Sequence, residues 1–120
     1  MFKVNIENFY KAKNYLFDPD KEFSETLCTG SNFKLERIIS KGHITPANKW
    51  YNQSNDEWVI LLSGSAVILF EDGKEISLNA GDYLFIPAHF RHRIVETSIN
   101  SECFWLALHG KIDIETNVNQ

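Results

Sequence analysis

Two side chains able to bind a metal or carry a proton, Glu57 and His92, lie in segments whose neighbours are apolar and β-prone. Glu57 stands beside Trp58 and Val59, and a carboxylate in such a strand is costly to bury unless it is paired or metal-bound. Two interpretations follow. Either both side chains point into the interior and bind a divalent cation or a substrate, or they form a buried hydrogen-bonded pair. Without an ion, Glu57 or His92 is also a candidate general base.

The segments around these residues have the pattern of short β-strands separated by turns. We predict strands over residues 33–39, 57–62, 66–70, 74–78, 83–86, 91–97 and 102–108. Asp72-Gly73 is the strongest hairpin signal, because glycine tolerates the positive φ that a tight primed turn needs. Strands at a spacing of roughly eight to twelve residues, without a sustained helical period, are typical of an all-β sandwich or barrel.

The 120 residues, of which 43% are hydrophobic, suit one small globular domain. We expect an N-terminal arm or extra strands over residues 1–32, a barrel over residues 33–110 and a polar tail over residues 111–120 that frays. Asp18-Pro19-Asp20 prevents a helix in the first of these segments.

The net charge of the chain and its lack of targeting signals limit the classes of partner and the location that we expect. The chain has 16 acidic and 12 basic residues, with the basic residues scattered, so we expect no nucleic-acid partner. No secretory signal and no apolar run of roughly 18 residues is present, so we expect a cytoplasmic protein without a membrane partner. Cys28 and Cys103 form no CxxC motif, which favours two reduced, partly buried thiols over a disulfide or a metal pair.

Two motifs resemble those of the cupin superfamily. Glu57, followed by six residues and Gly64, resembles the end of the first cupin motif. Gly81, five residues and Pro87, with His92 five residues after the proline, resemble the second motif. The resemblance covers roughly residues 35–108. It implies a double-stranded β-helix, which is the jelly-roll barrel of this family, and commonly a homodimer.

The resemblance also implies a set of metal ligands. The family's site uses a His-x-His pair, then a glutamate, then the histidine of the second motif, and the last two match Glu57 and His92. Two further positions depart from the family pattern. The glycine usually found between Pro87 and the second-motif histidine is His89, and the asparagine usually found four residues after that histidine is Glu96.

The His-x-His pair itself is replaced in this chain. With three residues between the pair and the glutamate, the matching positions are Tyr51 and Gln53, and with four they are Trp50 and Asn52. We prefer the first alignment, because Tyr51 and Gln53 offer oxygen atoms. One histidine, one glutamate and such oxygens would suit Zn, Fe, Mn or Ni, with waters completing the shell.

The resemblance gives each residue of this implied site an expected role. Glu57 and His92 would hold the ion, Gln53 would complete or orient its shell, and Tyr51 would act as a polar substrate contact or an acid. The open shell is what a Lewis acid or a dioxygen site needs. The catalytic candidates are therefore Tyr51, Glu57 and His92.

A pocket beside this site is assigned to Trp50, Tyr51 and His89. Trp50 is chosen because it lies in a loop next to the site. His89 either adopts a left-handed conformation as a solvated loop residue or faces the barrel mouth. His43 and His109 are interpreted as surface residues.

The fold does not choose a reaction, because cupins include enzymes and pure binding modules. The first hypothesis is a metal-dependent small-molecule enzyme of the oxygenase, isomerase or epimerase type. The second is a non-catalytic ligand-binding or sensing module with a degenerate metal site. A third is a structural partner that associates through its aromatic face. In the first two a small polar molecule binds inside the barrel.

Overall fold

A computed structural model describes residues 1–115, and eight β-strands make up the fold. The strands are β1 (Phe23–Thr29), β2 (Phe33–Ser40), β3 (Asp56–Ser63), β4 (Ser65–Phe70), β5 (Glu75–Asn79), β6 (Tyr83–Ile86), β7 (His92–Thr97) and β8 (Cys103–Gly110). Each predicted strand is found, and β1 forms in the segment predicted to hold an arm or extra strands. Residues 116–120, the end of the predicted tail, lie outside the described residues.

The strands form two antiparallel sheets that face each other. One sheet has the order β1-β2-β8-β3-β6, and the other has the order β5-β4-β7. The residues packed between them come from both sheets, as in a jelly-roll barrel. The all-β jelly-roll prediction is therefore confirmed. None of the described residues belongs to a helix long and apolar enough to cross a membrane.

The core follows the two-residue alternation of the strands. Its largest fully buried side chains are those of Ile39, Leu61, Ile68 and Cys103, whereas Cys28 is exposed rather than partly buried. In β3 the alternate positions that face inward are buried from its second residue onward. Glu57 occupies that second position, so the alternation that builds the core also turns this carboxylate into the barrel.

Two tight connections depend on glycine for different reasons. Gly64 joins β3 to β4 with a φ of +85°, and a Cβ there would lie 2.7 Å from the Cys103 Sγ atom and 3.0 Å from its Cα atom. Gly73 closes the predicted hairpin between β4 and β5 with a φ of +89°, and a Cβ there would meet nothing within 4 Å. Both positions need a left-handed backbone, but only at Gly64 would a side chain also clash with its neighbours.

The segment that precedes β1 is anchored to the outside of the barrel. The Phe9 and Tyr10 rings pack against Phe104, with ring centroids 6.0 and 5.3 Å apart. The Arg37 guanidinium donates to the Phe9 carbonyl at 2.8 Å and forms an ion pair with Glu25. These contacts hold the arm over β2 and β8 before the chain enters β1.

The two glycines provide a test of the packing around the core. Gly64→Ala is expected to lower the free energy of unfolding by about 3 kcal/mol, because it adds a clash to the backbone strain. Gly73→Ala, which adds strain alone, should cost about 1 kcal/mol. Urea denaturation of both variants measures the difference. Equal losses would show that the contact with Cys103 does not constrain the turn.

Candidate functional site

A cavity of about 270 Å³ lies between the two sheets. One part of its wall is apolar and includes Val59, Ile68, Ile86, Ile94 and Trp105. The rest is polar and includes Glu22, Glu36, Tyr51, Gln53, Glu57, His92 and His109. An apolar enclosure with a few convergent polar groups is the usual form of a small-molecule site, and this volume suits a small metabolite.

Glu57 and His92 both point into this cavity, as the first interpretation of the sequence requires. They are 8% and 6% exposed. His92 is fixed by an isolated bridge to Tyr51, in which each residue donates its backbone N–H to the other's carbonyl, at 2.8 and 3.2 Å. The Tyr51 ring stacks on the imidazole with centroids 5.4 Å apart. Backbone and ring contacts therefore set the direction of His92 before any ligand binds.

The two side chains face each other without a hydrogen bond. The distance from the His92 Nε2 atom to the Glu57 Oε1 atom is 3.9 Å. The His92 Nδ1 atom lies 3.2 Å from the Phe90 carbonyl, which only accepts, so we assign the imidazole proton to Nδ1 and a lone pair to Nε2. The Glu57 Oε1 atom is buried and has no hydrogen-bond partner within residues 1–115. The geometry therefore presents two open acceptors rather than the hydrogen-bonded pair of the alternative interpretation.

Burial shifts the two groups in opposite directions. It raises the pKa of Glu57, and the neighbouring His109 and Gln53 oppose that rise only in part. It lowers the pKa of His92, against a smaller effect of the bond to the Phe90 carbonyl. In each case burial moves the protonation equilibrium toward the neutral form, because a charge in the cavity is poorly solvated. A positive charge entering between them would relieve that cost.

Tyr51 remains a phenol at neutral pH. Burial, followed by the charges of Glu22 and Glu57, raises the pKa of Tyr51 to about 12. Tyr51 therefore enters the site as a neutral hydrogen-bonding group, in keeping with its predicted role as a polar contact or acid.

A second carboxylate–imidazole pair lines the cavity, and sequence reasoning missed it. The His109 Nε2 atom lies 3.1 Å from the Glu36 Oε1 atom, and this hydrogen bond is the main reason why the pKa of Glu36 is lowered. His109 was interpreted as a surface residue, which is wrong. It continues the inward alternation of Trp105 and Ala107 in β8 and stands opposite Glu57 in the register with β3. That alternation was the available signal.

Two more polar residues reach the cavity from loops. Glu22 lies directly before β1, and burial raises its pKa. His43 also lines the cavity, so its interpretation as a surface residue is corrected. Its Nδ1 atom accepts the Lys41 N–H at 2.8 Å, and its Nε2 atom lies 2.6 Å from the Asp18 carbonyl. Both ring nitrogens are therefore engaged, and His43 offers no free atom to a ligand.

Of the three residues assigned to the pocket, only Tyr51 lines the cavity. Trp50 lies outside, where its ring centroid is 5.7 Å from the Arg93 guanidinium carbon, because the bridge to His92 turns residue 51 inward and its neighbour outward. His89 adopts the left-handed conformation, with a φ of +65°, and is exposed. Its backbone N–H donates to the Gln53 carbonyl at 2.8 Å, so it supports the loop that carries Gln53.

A divalent ion in the cavity would need several ligand atoms at suitable distances from one another. Within the described part of the chain, no three His, Cys, Asp or Glu side chains are arranged to hold a metal. Glu57 and His92 nevertheless offer two lone pairs 3.9 Å apart, and Gln53 lines the same cavity. Two ligand atoms bound to one ion at a tetrahedral angle lie about 3.4 Å apart. The two side chains would therefore have to approach by about 0.5 Å to hold an ion as a pair of protein ligands, with its other positions open.

The Glu36–His109 pair gives a pH-dependent contribution to stability. A carboxyl group whose pKa is lowered on folding stabilises the protein above its ordinary value of 4.5, and this is lost as the pH falls through the lowered pKa. Glu36→Gln should therefore cost about 1–2 kcal/mol at pH 7 and progressively less below pH 4.5. Urea denaturation across this range measures the loss. Glu71→Gln, in the exposed ion pair with Arg91, is the control and should cost less than about 0.5 kcal/mol throughout. A loss for Glu36→Gln that does not change with pH would contradict the assignment.

Comparisons with known proteins agree with this architecture. The family model described as Cupin domain matches residues 37–109. A solved structure from Ralstonia eutropha, described as a candidate mannose-6-phosphate isomerase, has 37% identity and a TM-score of 0.81, over 91% of this chain and 100% of that chain. No curated protein matches the chain.

Two further solved structures share the fold at lower identity. A cupin superfamily protein from Desulfitobacterium hafniense has 20% identity and a TM-score of 0.65, over 82% of this chain and 84% of that chain. A cupin-2 domain protein from Shewanella frigidimarina has 21% identity and a TM-score of 0.64, over 88% of this chain and 95% of that chain. The family match spans more than half of the chain and includes both motifs that carried the resemblance. The chain therefore belongs to the cupin family.

Proposed function

We propose that this cupin binds a small polar molecule in its barrel cavity, and that Glu57 and His92 hold a divalent metal ion at the cavity wall. The observation that carries the proposal is the 3.9 Å gap between the Glu57 Oε1 and His92 Nε2 atoms. Both side chains are buried, and within residues 1–115 the Glu57 Oε1 atom has no hydrogen-bond partner. Such an arrangement is unfavourable unless a cation or a donor from a ligand occupies the gap.

The remaining residues of the site have roles consistent with this proposal. Gln53 would orient Glu57 and complete the shell, and Tyr51 would contact a ligand oxygen or give it a proton. The apolar wall would exclude water and so strengthen each polar contact. A bound ion would supply Lewis-acid polarisation of a ligand oxygen.

The type of reaction is a finer part of the proposal. Tyr51, Glu57 and His92 are the proposed catalytic residues. Of the oxygenase and isomerase types, we favour the isomerase, because the relative with 37% identity is described as a candidate sugar-phosphate isomerase. The catalytic test is isomerisation of aldoses and ketoses by the metal-loaded protein.

A second candidate function is metal-free binding or sensing. It is favoured by the replacement of the family's histidine pair with Tyr51 and Gln53, and by the lack of a three-ligand group within residues 1–115. In this case hydroxyl groups of the ligand would donate to Glu57 and His92 in place of an ion.

Metal content separates the two candidates. Untagged protein purified without chelator is expected to contain close to one divalent ion per chain by elemental analysis. Glu57→Gln removes the negative charge of one ligand and His92→Ala removes the other ligand, and each should weaken the affinity for the ion at least about tenfold. Titration of the chelator-treated protein with Zn, Mn, Fe or Ni, followed by thermal unfolding, measures that affinity.

The matched control is His89→Ala, which removes an exposed imidazole from outside the cavity. It should retain the ion and its affinity. If the unmodified chain contains no ion and none of the four metals shifts its unfolding temperature, the metal site is refuted and the metal-free function is preferred.

A further inference from the structure

We infer that the cavity selects a ligand rich in hydrogen-bond donors and free of negative charge, such as a neutral or amino-bearing polyhydroxyl compound, and rejects phosphate esters and carboxylates. The inference rests on the proposed function only in taking the cavity as the ligand site. It concerns the cavity without an ion, because an ion held by Glu57 and His92 would occupy both open acceptors and add positive charge.

The first support is the charge of the lining. Three carboxylates, those of Glu22, Glu36 and Glu57, line the cavity, and no Lys or Arg does so among the described residues. Arg37 is held outside by Glu25 and the arm. An anion entering this space would lose its hydration without a Lys or Arg to compensate, and it would meet the carboxylate of Glu36.

The lysines closest to the site do not supply the missing positive charge. Lys34 and Lys111 line a wider groove outside the cavity, which meets the cavity at Glu36, Gln53 and His109. The Lys34 Nζ atom already lies 3.9 Å from the Glu36 Oε2 atom. A ligand therefore passes from a mixed polar groove into an acidic interior.

The second support is that the donors of the cavity are already engaged. The Trp105 indole N–H donates to the Ser40 Oγ atom at 3.0 Å, and the Thr97 hydroxyl donates to a backbone carbonyl at 2.7 Å. The His109 Nε2 atom is paired with Glu36 at 3.1 Å. The indole N–H of Trp105, the hydroxyl proton of Thr97 and the Nε2 atom of His109 are therefore already used within the protein.

Tyr51 and Gln53 are further polar side chains of the wall, and each lies close enough to a carboxyl group to affect a pKa. The charges of Glu22 and Glu57 raise the pKa of Tyr51, and Gln53 lowers the pKa of Glu57. The Glu57 Oε1 and His92 Nε2 atoms stay open, and both are acceptors. An ionised carboxylate offers about four acceptor sites and no donor, so acceptors exceed free donors in this cavity.

A ligand must supply what the cavity lacks. Hydroxyl and ammonium groups bring donors, and an ammonium also brings a positive charge. Ionised phosphate and carboxylate groups mainly accept, so they would leave the acceptors of Glu22 and Glu57 unsatisfied. The hydroxyls of Ser24 and Ser40, which act as donor or acceptor, are too few to reverse this balance.

This selectivity belongs to the individual chain rather than to the family motifs. Glu22 and Glu36 both precede residue 37, where the match to the family model begins. The Ralstonia protein is described as a candidate isomerase of a phosphorylated sugar, mannose 6-phosphate. The cavity described here suits the sugar hydroxyls of such a compound and disfavours its phosphate.

The three tryptophans provide an internal test by NMR. Trp105 lines the cavity, whereas Trp50 and Trp58 do not. We expect D-mannose and D-mannosamine, at concentrations up to about 100 mM, to shift the indole N–H signal of Trp105 alone. D-mannose 6-phosphate and inorganic phosphate should need at least about tenfold higher concentration for the same shift.

Removing the carboxylates should weaken this preference. In the Glu22→Gln/Glu36→Gln variant, the ratio between the mannose and mannose 6-phosphate responses should fall several-fold. Glu71→Gln, outside the cavity, is the control with a carboxylate removed and should keep the ratio. Single variants at positions 22 and 36 replace the double variant if its thermal unfolding shows that it does not fold.

The outcomes separate this inference from the metal site when the titrations are run on metal-loaded and chelator-treated protein. A preference for the uncharged and amino sugars in the chelator-treated protein supports the inference, whether or not the metal-loaded protein shows that an ion binds. An equal or stronger response of the chelator-treated protein to mannose 6-phosphate overturns it, even if the metal-loaded protein retains its ion. A Trp105 signal that responds to none of the probes also overturns it.

Discussion

The site depends on one unfavourable contact, in which two acceptor atoms of buried side chains, Glu57 Oε1 and His92 Nε2, lie 3.9 Å apart without a donor from either. A folded chain tolerates this only if the surrounding structure holds both side chains in place. The alternation of β3 fixes Glu57, and the backbone bridge and ring of Tyr51 fix His92. The rigid barrel therefore holds these two acceptor atoms close together although they form no hydrogen bond with each other.

Local patterns predicted the fold and the inward direction of Glu57 and His92, because strand alternation and turn glycines are encoded within a few residues. The same rule applied along β8 from Trp105 would have predicted His109. Glu22 and Glu36 could not be assigned, since their place depends on the register of β1 and β2 with distant strands. Trp50 was misplaced because a long-range bridge, and not its loop, decides which side chain turns inward.

Membership of the cupin family accounts for the barrel and for two of the ligand positions. It does not account for the cavity's chemistry, which differs from the family pattern at the histidine pair and gains carboxylates from outside the matched residues. This chain therefore shares the architecture of the family, while a few side chains of the cavity determine which ligand it would accept. The homodimer and the cytoplasmic location expected from the sequence stay predictions.

The anchored arm has a consequence for how such a protein changes over time. Arg37 and Phe104 fasten the arm to the outer wall, and Glu22 follows it into the cavity, yet the buried core is built without either. A substitution at Glu22 can therefore alter what the cavity accepts without changing a residue of the core. The end of the arm is a place where ligand preference can change while the residues that build the barrel stay the same.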